Sequence, residues 1–158
     1  MPFTTFKSPL GELTLIAGPD GAIRRLYFPG TAPALSAADH DPESLGAATE
    51  QLRQYFVGDR TTFDLALDLG GTEFQHGVWS ALRSIPYGTT TTYGALAREL
   101  IAQPRAIGAA VGATPIPIIV PCHRVIGSDG SLTGYGGGLP RKRALLDLEA
   151  GISQLAPV

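Results

Sequence analysis

The chain has 158 residues, 44% of them apolar and 16% charged, with a net charge of −2; this describes a soluble globule with enough chain for one full core or two small ones. Nothing near Met1 resembles a charged segment followed by an apolar h-region, and no apolar run approaches the roughly 20 residues of a spanning helix, so a cytoplasmic protein without membrane contact is expected. A single cysteine excludes an internal disulfide and fits a reducing compartment, and with only His40, His76 and His123 beside it no zinc-ligand spacing exists.

Leu13–Ile16 and Ile23–Phe28 are short apolar runs separated by Gly18-Pro19-Asp20-Gly21, which predicts an antiparallel hairpin. Residues 29–41, rich in Ala, Pro, Gly and Asp, form an exposed connection. Asp41-Pro42-Glu43 then supplies an N-cap, a first-turn proline and an early acid for a helix bearing Leu45, Ala48, Leu52 and Phe56 at helical spacing. Thr61 to Leu69 alternates, with Phe63, Leu65, Leu67 and Leu69 on one side, as a half-buried strand does. The first region, 1–70, therefore reads as a small α+β unit.

Gly70-Gly71 interrupts the pattern, and Thr72-Glu73-Phe74-Gln75 matches a capping box, so a second domain is placed at 72–158. Phe74, Val78, Leu82 and Ile85 form its first apolar stripe, ended by Pro86 and Gly88. Thr92 caps the next helix, with Leu96, Leu100 and Ile101 on one face. Gln103-Pro104 opens another, from Arg105 to about Ala113, made almost wholly of small residues; two short helices joined by a tight turn suggest helix-turn-helix. Small side chains let that second helix approach either a DNA groove or a neighbouring helix, and taken alone they favour packing. Six glycines around Tyr135, in the stretch 127–138, form a loop able to lie over a site. Pro140 starts a last helix through Glu149.

Charge is uneven: residues 1–73 carry five Lys/Arg against ten Asp/Glu, and residues 74–158 carry seven against four. A phosphate backbone would be attracted to the second part and repelled by the first.

The lone cysteine lies in Pro121-Cys122-His123-Arg124-Val125, after the apolar run Ile116–Val120. A thiol with an ordinary pKa near 8.5 is only a few per cent thiolate at neutral pH, and a neighbouring base changes that. His123 is the obvious base. Adjacent side chains on a regular strand point apart, so contact requires a bend at Pro121 or a bridging water. The far imidazole nitrogen needs a carboxylate to fix its tautomer, and Glu149 is the candidate. The residues by themselves leave open that Cys122 is a small buried hydrophobe and His123 a hydrogen-bonded core residue.

The pentapeptide PCHRV, together with Phe74-Gln75, Val78-Trp79, Ile85-Pro86-Tyr87-Gly88, Tyr93-Gly94-Ala95-Leu96-Ala97, Arg105-Ala106-Ile107-Gly108, Pro115–Val125 and Gly134-Tyr135-Gly136-Gly137-Gly138, resembles the O6-alkylguanine-DNA alkyltransferases (methylated-DNA–protein-cysteine methyltransferases). Ser8-Pro9-Leu10-Gly11 and the hairpin are similar to that family's ribonuclease-H-like domain. The resemblance implies an α+β fold: a small ribonuclease-H-like N-terminal domain, then a C-terminal helix-turn-helix, winged-helix-like alkyltransferase domain. It implies a single-use DNA-repair protein, a monomer without cofactor, that binds double-stranded DNA carrying O6-alkylguanine through the minor groove; O4-alkylthymine is a second candidate substrate. Cys122 would attack the alkyl carbon and keep the alkyl group. His123 would take the thiol proton through a water, Glu149 would orient His123, and Tyr93 would donate a proton to the leaving purine. The base must be rotated out of the stack. Arg105 would fill the gap, with Ala106, Thr92, Gly112 and Arg124 also at the DNA, and Val125, Tyr135, Gly136 and Thr114 would line the base pocket.

Two departures stand out. Where the family carries Asn-Pro, this chain has Thr114-Pro115 and no asparagine anywhere. Threonine is shorter and has one hydroxyl, so weaker coupling between DNA binding and thiol positioning is expected. Pro104 directly precedes Arg105 where the family pattern has a few more residues, so the recognition helix is expected to begin late. The alternative functions are a lesion-binding relative without transfer activity, in which the cysteine is usually replaced by tryptophan, and a thiol hydrolase, for which no oxyanion-hole signature is present.

Overall fold

The computed structural model describes residues 1–152, and positions 153–158 of the expected second domain lie outside the described residues. Two compact units divide at Gly70/Gly71. In the first, β1 (Phe3–Ser8), β2 (Gly11–Ala17) and β3 (Ile23–Tyr27) form an antiparallel sheet in the order β1-β2-β3. The central strand explains its own sequence. β2 buries Leu13 through Ala17 without interruption, as a strand covered on both faces does. The hairpin is present, and β1, which carries no clear alternation, is an additional strand.

Helix α1 (Gly46–Phe56) buries Ala48, Leu52, Tyr55 and Phe56, and Phe56 stacks on Phe6 of β1 at 6.3 Å. It starts later than its sequence signals suggest. Asp41 Oδ1 accepts from the Ser44 amide, so Asp41-Pro42-Glu43 is spent on a turn ahead of the helix, whose cap residue is Leu45. The segment 61–69 is not a ladder strand. Its side chains alternate as expected, but it meets β3 only at an isolated bridge between Ile23 and Leu67, with Ile23 N donating to Ala66 O and Asp68 N to Ile23 O. Alternation reports a half-covered face and not the number of backbone hydrogen bonds made.

The second unit opens on the capping box: Gln75 N donates to Thr72 Oγ1 at 3.1 Å and Thr72 N to Gln75 Oε1 at 2.9 Å. Gly71, at φ +81°, is required there, because a Cβ would stand 2.7 Å from the Trp79 ring. Helix α2 (Glu73–Arg83) buries Val78, Trp79 and Leu82, whereas Phe74, expected on the same stripe, is exposed. The stripe begins one turn later because Phe74 belongs to the helix's opening turn. Trp79 Nε1 donates to Ala110 O at 2.9 Å and so ties α2 to the helix-turn-helix.

That motif consists of α3 (Tyr93–Leu100) and α4 (Pro104–Gly112). Thr92 Oγ1 caps α3 by accepting from Ala95 N, and β4 (Thr91–Thr92), just ahead, pairs in parallel with β5 (Val125–Ile126). Helix α3 ends with Ala102 N bonded back to Ala97 O and Ile101 in the left-handed region, at φ 52°. Glycine or asparagine normally takes this position, and a residue with a Cβ loses about 1–2 kcal/mol there. Ile101, expected on the buried face, is instead 93% exposed: the reversal that ends the helix turns it outward. Helix α4 starts at Pro104, so Arg105 lies in its first turn. Helix α5 (Leu139–Glu149) closes the unit. Among the described residues no helix is long and apolar enough to cross a membrane.

Candidate active site

The apolar run before the cysteine is not a strand. It doubles back, with Val120 N donating to Ile116 O at 2.9 Å and the buried Ile118 in the left-handed region at φ 73°. Pro121 follows at φ −81°, ψ 61°, and Cys122 N reaches back to Val120 O at 2.8 Å, an inverse γ-turn. The chain therefore bends at Pro121, immediately before the cysteine. Beyond it, Cys122–Arg124 form one turn of 3₁₀ helix, in which successive side chains diverge by about 120° instead of 180°. Three neighbouring residues are thereby sent in three directions within one buried turn.

His123 points to α5. Its Nε2 lies 2.7 Å from Glu149 Oε2, with the imidazole fully buried. An ionised carboxylate only accepts, so Nε2 carries the proton and Nδ1 holds the lone pair. Nδ1 is buried and has no hydrogen-bond partner among the described residues. Burial lowers the His123 pKa, against the opposing pull of Glu149, so the ring is a neutral base at physiological pH.

Arg124, expected at the DNA, is buried in the site instead. Its Nε donates to Glu149 Oε1 at 2.7 Å, Nη2 to Glu149 Oε2 at 3.0 Å, and Nη1 to Ile85 O at 2.7 Å, and the guanidinium lies 5.7 Å from the centre of the Tyr87 ring. A guanidinium committed to a bidentate carboxylate and a carbonyl has no free edge for a phosphate. Its role is to neutralise Glu149 and hold that carboxylate in register with His123.

Cys122 is 6% exposed and unpaired with any other cysteine. Burial pushes its thiol up to about 11, while the Thr114 and Tyr135 hydroxyls and the Lys142 ammonium pull it partway back. At pH 7 a group of pKa 11 is ionised in roughly one molecule in ten thousand. The resting nucleophile is thus a thiol, and attack requires its proton to leave during the reaction. Tyr135 is pushed well above the ordinary phenol range by burial and by the neighbouring thiol, so it remains a neutral hydroxyl. Thr114 Oγ1 donates to Val111 O of α4 at 2.7 Å and also comes within hydrogen-bonding reach of the thiol. The short side chain therefore lies against both α4 and the nucleophile.

Lys142 was legible in the sequence only as part of a basic helix start. The structure makes it a member of the site: it is fully buried, with Nζ donating to Val125 O at 2.6 Å and Thr133 O at 2.8 Å and lying 6.0 Å from the centre of the Tyr93 ring. No described carboxylate pairs with it, whereas Glu149 is already matched by Arg124. Its charge is balanced only when Cys122 ionises. Lys142→Met is expected to raise the pH midpoint of Cys122 alkylation by iodoacetamide, so that the rate at a fixed neutral pH falls about tenfold for every pH unit the midpoint climbs. A lowered melting temperature with an unmoved midpoint would make Lys142 a purely structural clasp.

The remaining candidates are dispersed. Tyr93 is half-buried at the start of α3, Val125 is wholly buried, and Gly136 and Gly112 are exposed. Ala106 is half-buried and Arg105 exposed in the first turn of α4. A cation there opposes the positive end of the helix dipole, at about 0.3–1 kcal/mol. A Cβ at Gly108 or Gly112 would meet nothing within 4 Å, so no contact inside the protein accounts for either glycine.

A helix-turn-helix unit that buries one thiol beside a neutral histidine held by a carboxylate defines a cysteine-nucleophile protein built on a DNA-binding type of scaffold. Two family models divide the sequence between them: the 6-O-methylguanine DNA methyltransferase ribonuclease-like domain over residues 1–69 and the DNA-binding domain of the same enzymes over residues 73–151. The chain belongs to the methylated-DNA–protein-cysteine methyltransferase family. A relative bearing that name in Mycobacterium tuberculosis is 50% identical over 151 residues, covering 93% of this chain and 91% of its own. The inducible enzyme of Bacillus subtilis is 42% identical over 150 residues, covering 90% and 81%. The crystal structure of M. tuberculosis OGT in complex with DNA superimposes with a TM-score of 0.88 at 48% identity, covering 97% of this chain and 95% of that one. A Methanococcus jannaschii O6-methylguanine DNA methyltransferase gives a TM-score of 0.69 at 29% identity, covering 88% of each. The architecture is accordingly that of the family, a ribonuclease-like N-terminal region followed by a DNA-binding region.

Proposed function

We propose that this protein repairs DNA by moving an alkyl group irreversibly from O6-alkylguanine in a duplex to Cys122, one group per molecule. The observation that carries the reading is the buried His123, whose Nε2 is fixed by Glu149 while its Nδ1 lone pair is left without a donor, one residue from the chain's single cysteine. The sulfur attacks the alkyl carbon in line with the breaking C–O bond, a C–S bond forms, and the thiol proton passes through a water to His123 Nδ1. The electron pair of the C–O bond goes to the purine, which takes a proton from Tyr93, and the product is a thioether that no group in the site can cleave.

On this reading α4 enters the minor groove and Arg105 fills the gap left by the extruded base. Thr92, Ala106 and Gly112 lie along the same surface, and Gly136 and Tyr135, with the backbone at Val125 and Thr114, border the base. An arginine at the unfavourable end of a helix dipole and glycines with no internal packing reason both support a face shaped for something outside the protein. The transferring domain is 72–158, and the protein works as a monomer in the reducing cytoplasm, where its thiol survives. Intact-protein mass spectrometry with excess duplex containing O6-methylguanine tests this. One methyl group per chain is expected, located on the peptide bearing Cys122, with no second equivalent. Continued product formation beyond one equivalent, or an unmodified Cys122, would overturn it.

A further inference from the structure

The α3–α4 turn is built against local preference. Ile101 is a β-branched residue held at φ 52°, where the helix-ending hydrogen bond from Ala102 N to Ala97 O calls for glycine or asparagine. Its side chain is almost wholly exposed, so the strain is not offset by burial. Three residues further on, α4 begins, and its first turn carries the exposed Arg105 and no acid. Strained backbone persists where the surrounding structure uses it, and an exposed aliphatic side chain beside a helix N-terminus that has no internal use for its cation is placed to meet a partner combining phosphates with apolar sugar faces.

We infer that Ile101 is a DNA-contacting residue, packing its aliphatic side chain against the deoxyribose walls of the minor groove beside the segment entered by α4. This rests on the reading of α4 as the DNA-binding helix and extends the contact surface back into the turn. Minor-groove proteins use aliphatic side chains in this way, against sugars or between base steps. The contact is apolar. It contributes to affinity at every salt concentration without changing how many counterions are released, whereas a phosphate-binding cation changes the slope of affinity against salt.

The test uses the full chain with Ile101→Gly and Ile101→Asn, both compatible with the left-handed backbone. Binding to a fluorescent duplex is measured by anisotropy across a salt series, beside thermal melting. Both variants are expected to bind about five- to tenfold more weakly than the parent at each salt concentration, with the slope of log Kd against log salt unchanged and the melting temperature equal or higher. Affinity within twofold of the parent for both variants would overturn the inference, as would weaker binding confined to a variant whose melting temperature falls. Failure of the underlying reading looks different: the unaltered protein would then show no salt-dependent DNA binding and no mass gain.

Discussion

Cys122→Ala is expected to abolish alkyl transfer completely, leaving protein mass unchanged after exposure to alkylated duplex, while duplex binding is retained. Ala conserves the small volume and removes the only thiol in the chain, so no second nucleophile of the same kind can substitute. The same variant should reveal a stability signature. Burial holds the folded thiol at about 11, well above the ordinary thiol range. A group whose pKa is raised on folding contributes stability that is complete below the unfolded value and disappears as pH rises toward the folded one. The parent should therefore lose stability between about pH 9 and pH 11 more steeply than Cys122→Ala, by denaturant melts at each pH. Parallel alkaline profiles would mean that the thiol is not sealed from water in solution.

Glu149→Ala carries the second large effect, on both stability and rate. The carboxylate accepts three hydrogen bonds, two from Arg124 and one from His123. Removing it leaves a buried guanidinium unpaired, a loss of about 3–5 kcal/mol from a domain of ordinary marginal stability. Glu149→Gln separates the two roles. Its single acceptor oxygen cannot serve both donors, and its NH₂ opposes one of them, so the imidazole loses its fixed tautomer and transfer should slow by about 10²–10⁴-fold. Rapid-quench transfer assays on folded Glu149→Gln measure this, and a rate within about tenfold of the parent would remove Glu149 from the mechanism. His123 adds an acidic limit. Burial depresses its pKa below the ordinary 6.5, so its contribution to stability is present above about pH 6.5 and is lost as pH falls through the folded value, when the unfolded chain takes up a proton that the folded one excludes.

Arg124 and Lys142 divide the positive charge in the site between them. Arg124 is matched to Glu149 in the resting protein, so that pair is neutral and presents His123 as an uncharged base. Lys142 is held by two backbone carbonyls, of Val125 and Thr133, and has no described carboxylate. The low-polarity interior that keeps Cys122 protonated also strengthens attraction between Lys142 and the sulfur once the proton has gone. The site therefore favours negative charge on sulfur only transiently, which suits a nucleophile that reacts once and must otherwise remain intact.

Much of this was written locally in the chain. The capping box at Thr72–Gln75, the cap at Thr92, the hairpin turn and the helices they open depend on residues within a few positions of one another, so reading neighbours suffices. The nucleophile and its base were legible because they are adjacent and because the cysteine is the only one. Glu149 could be named as a candidate, but its 2.7 Å contact spans 26 positions and exists only because α5 returns to the 3₁₀ turn. Arg124 and Lys142 were misread or passed over for the same reason. A cation's partner is set by what packs around it, and sequence alone assigns it by default to solvent or phosphate. Likewise, the alternation at Phe63–Leu69 reported burial without backbone pairing, and Ile101 read as a core residue until the left-handed turn faced it outward. Local hydrogen bonding and periodicity are properties of a segment. Charge pairing, burial and the reach of one side chain to another are properties of the assembled molecule, decided when distant segments exclude water together.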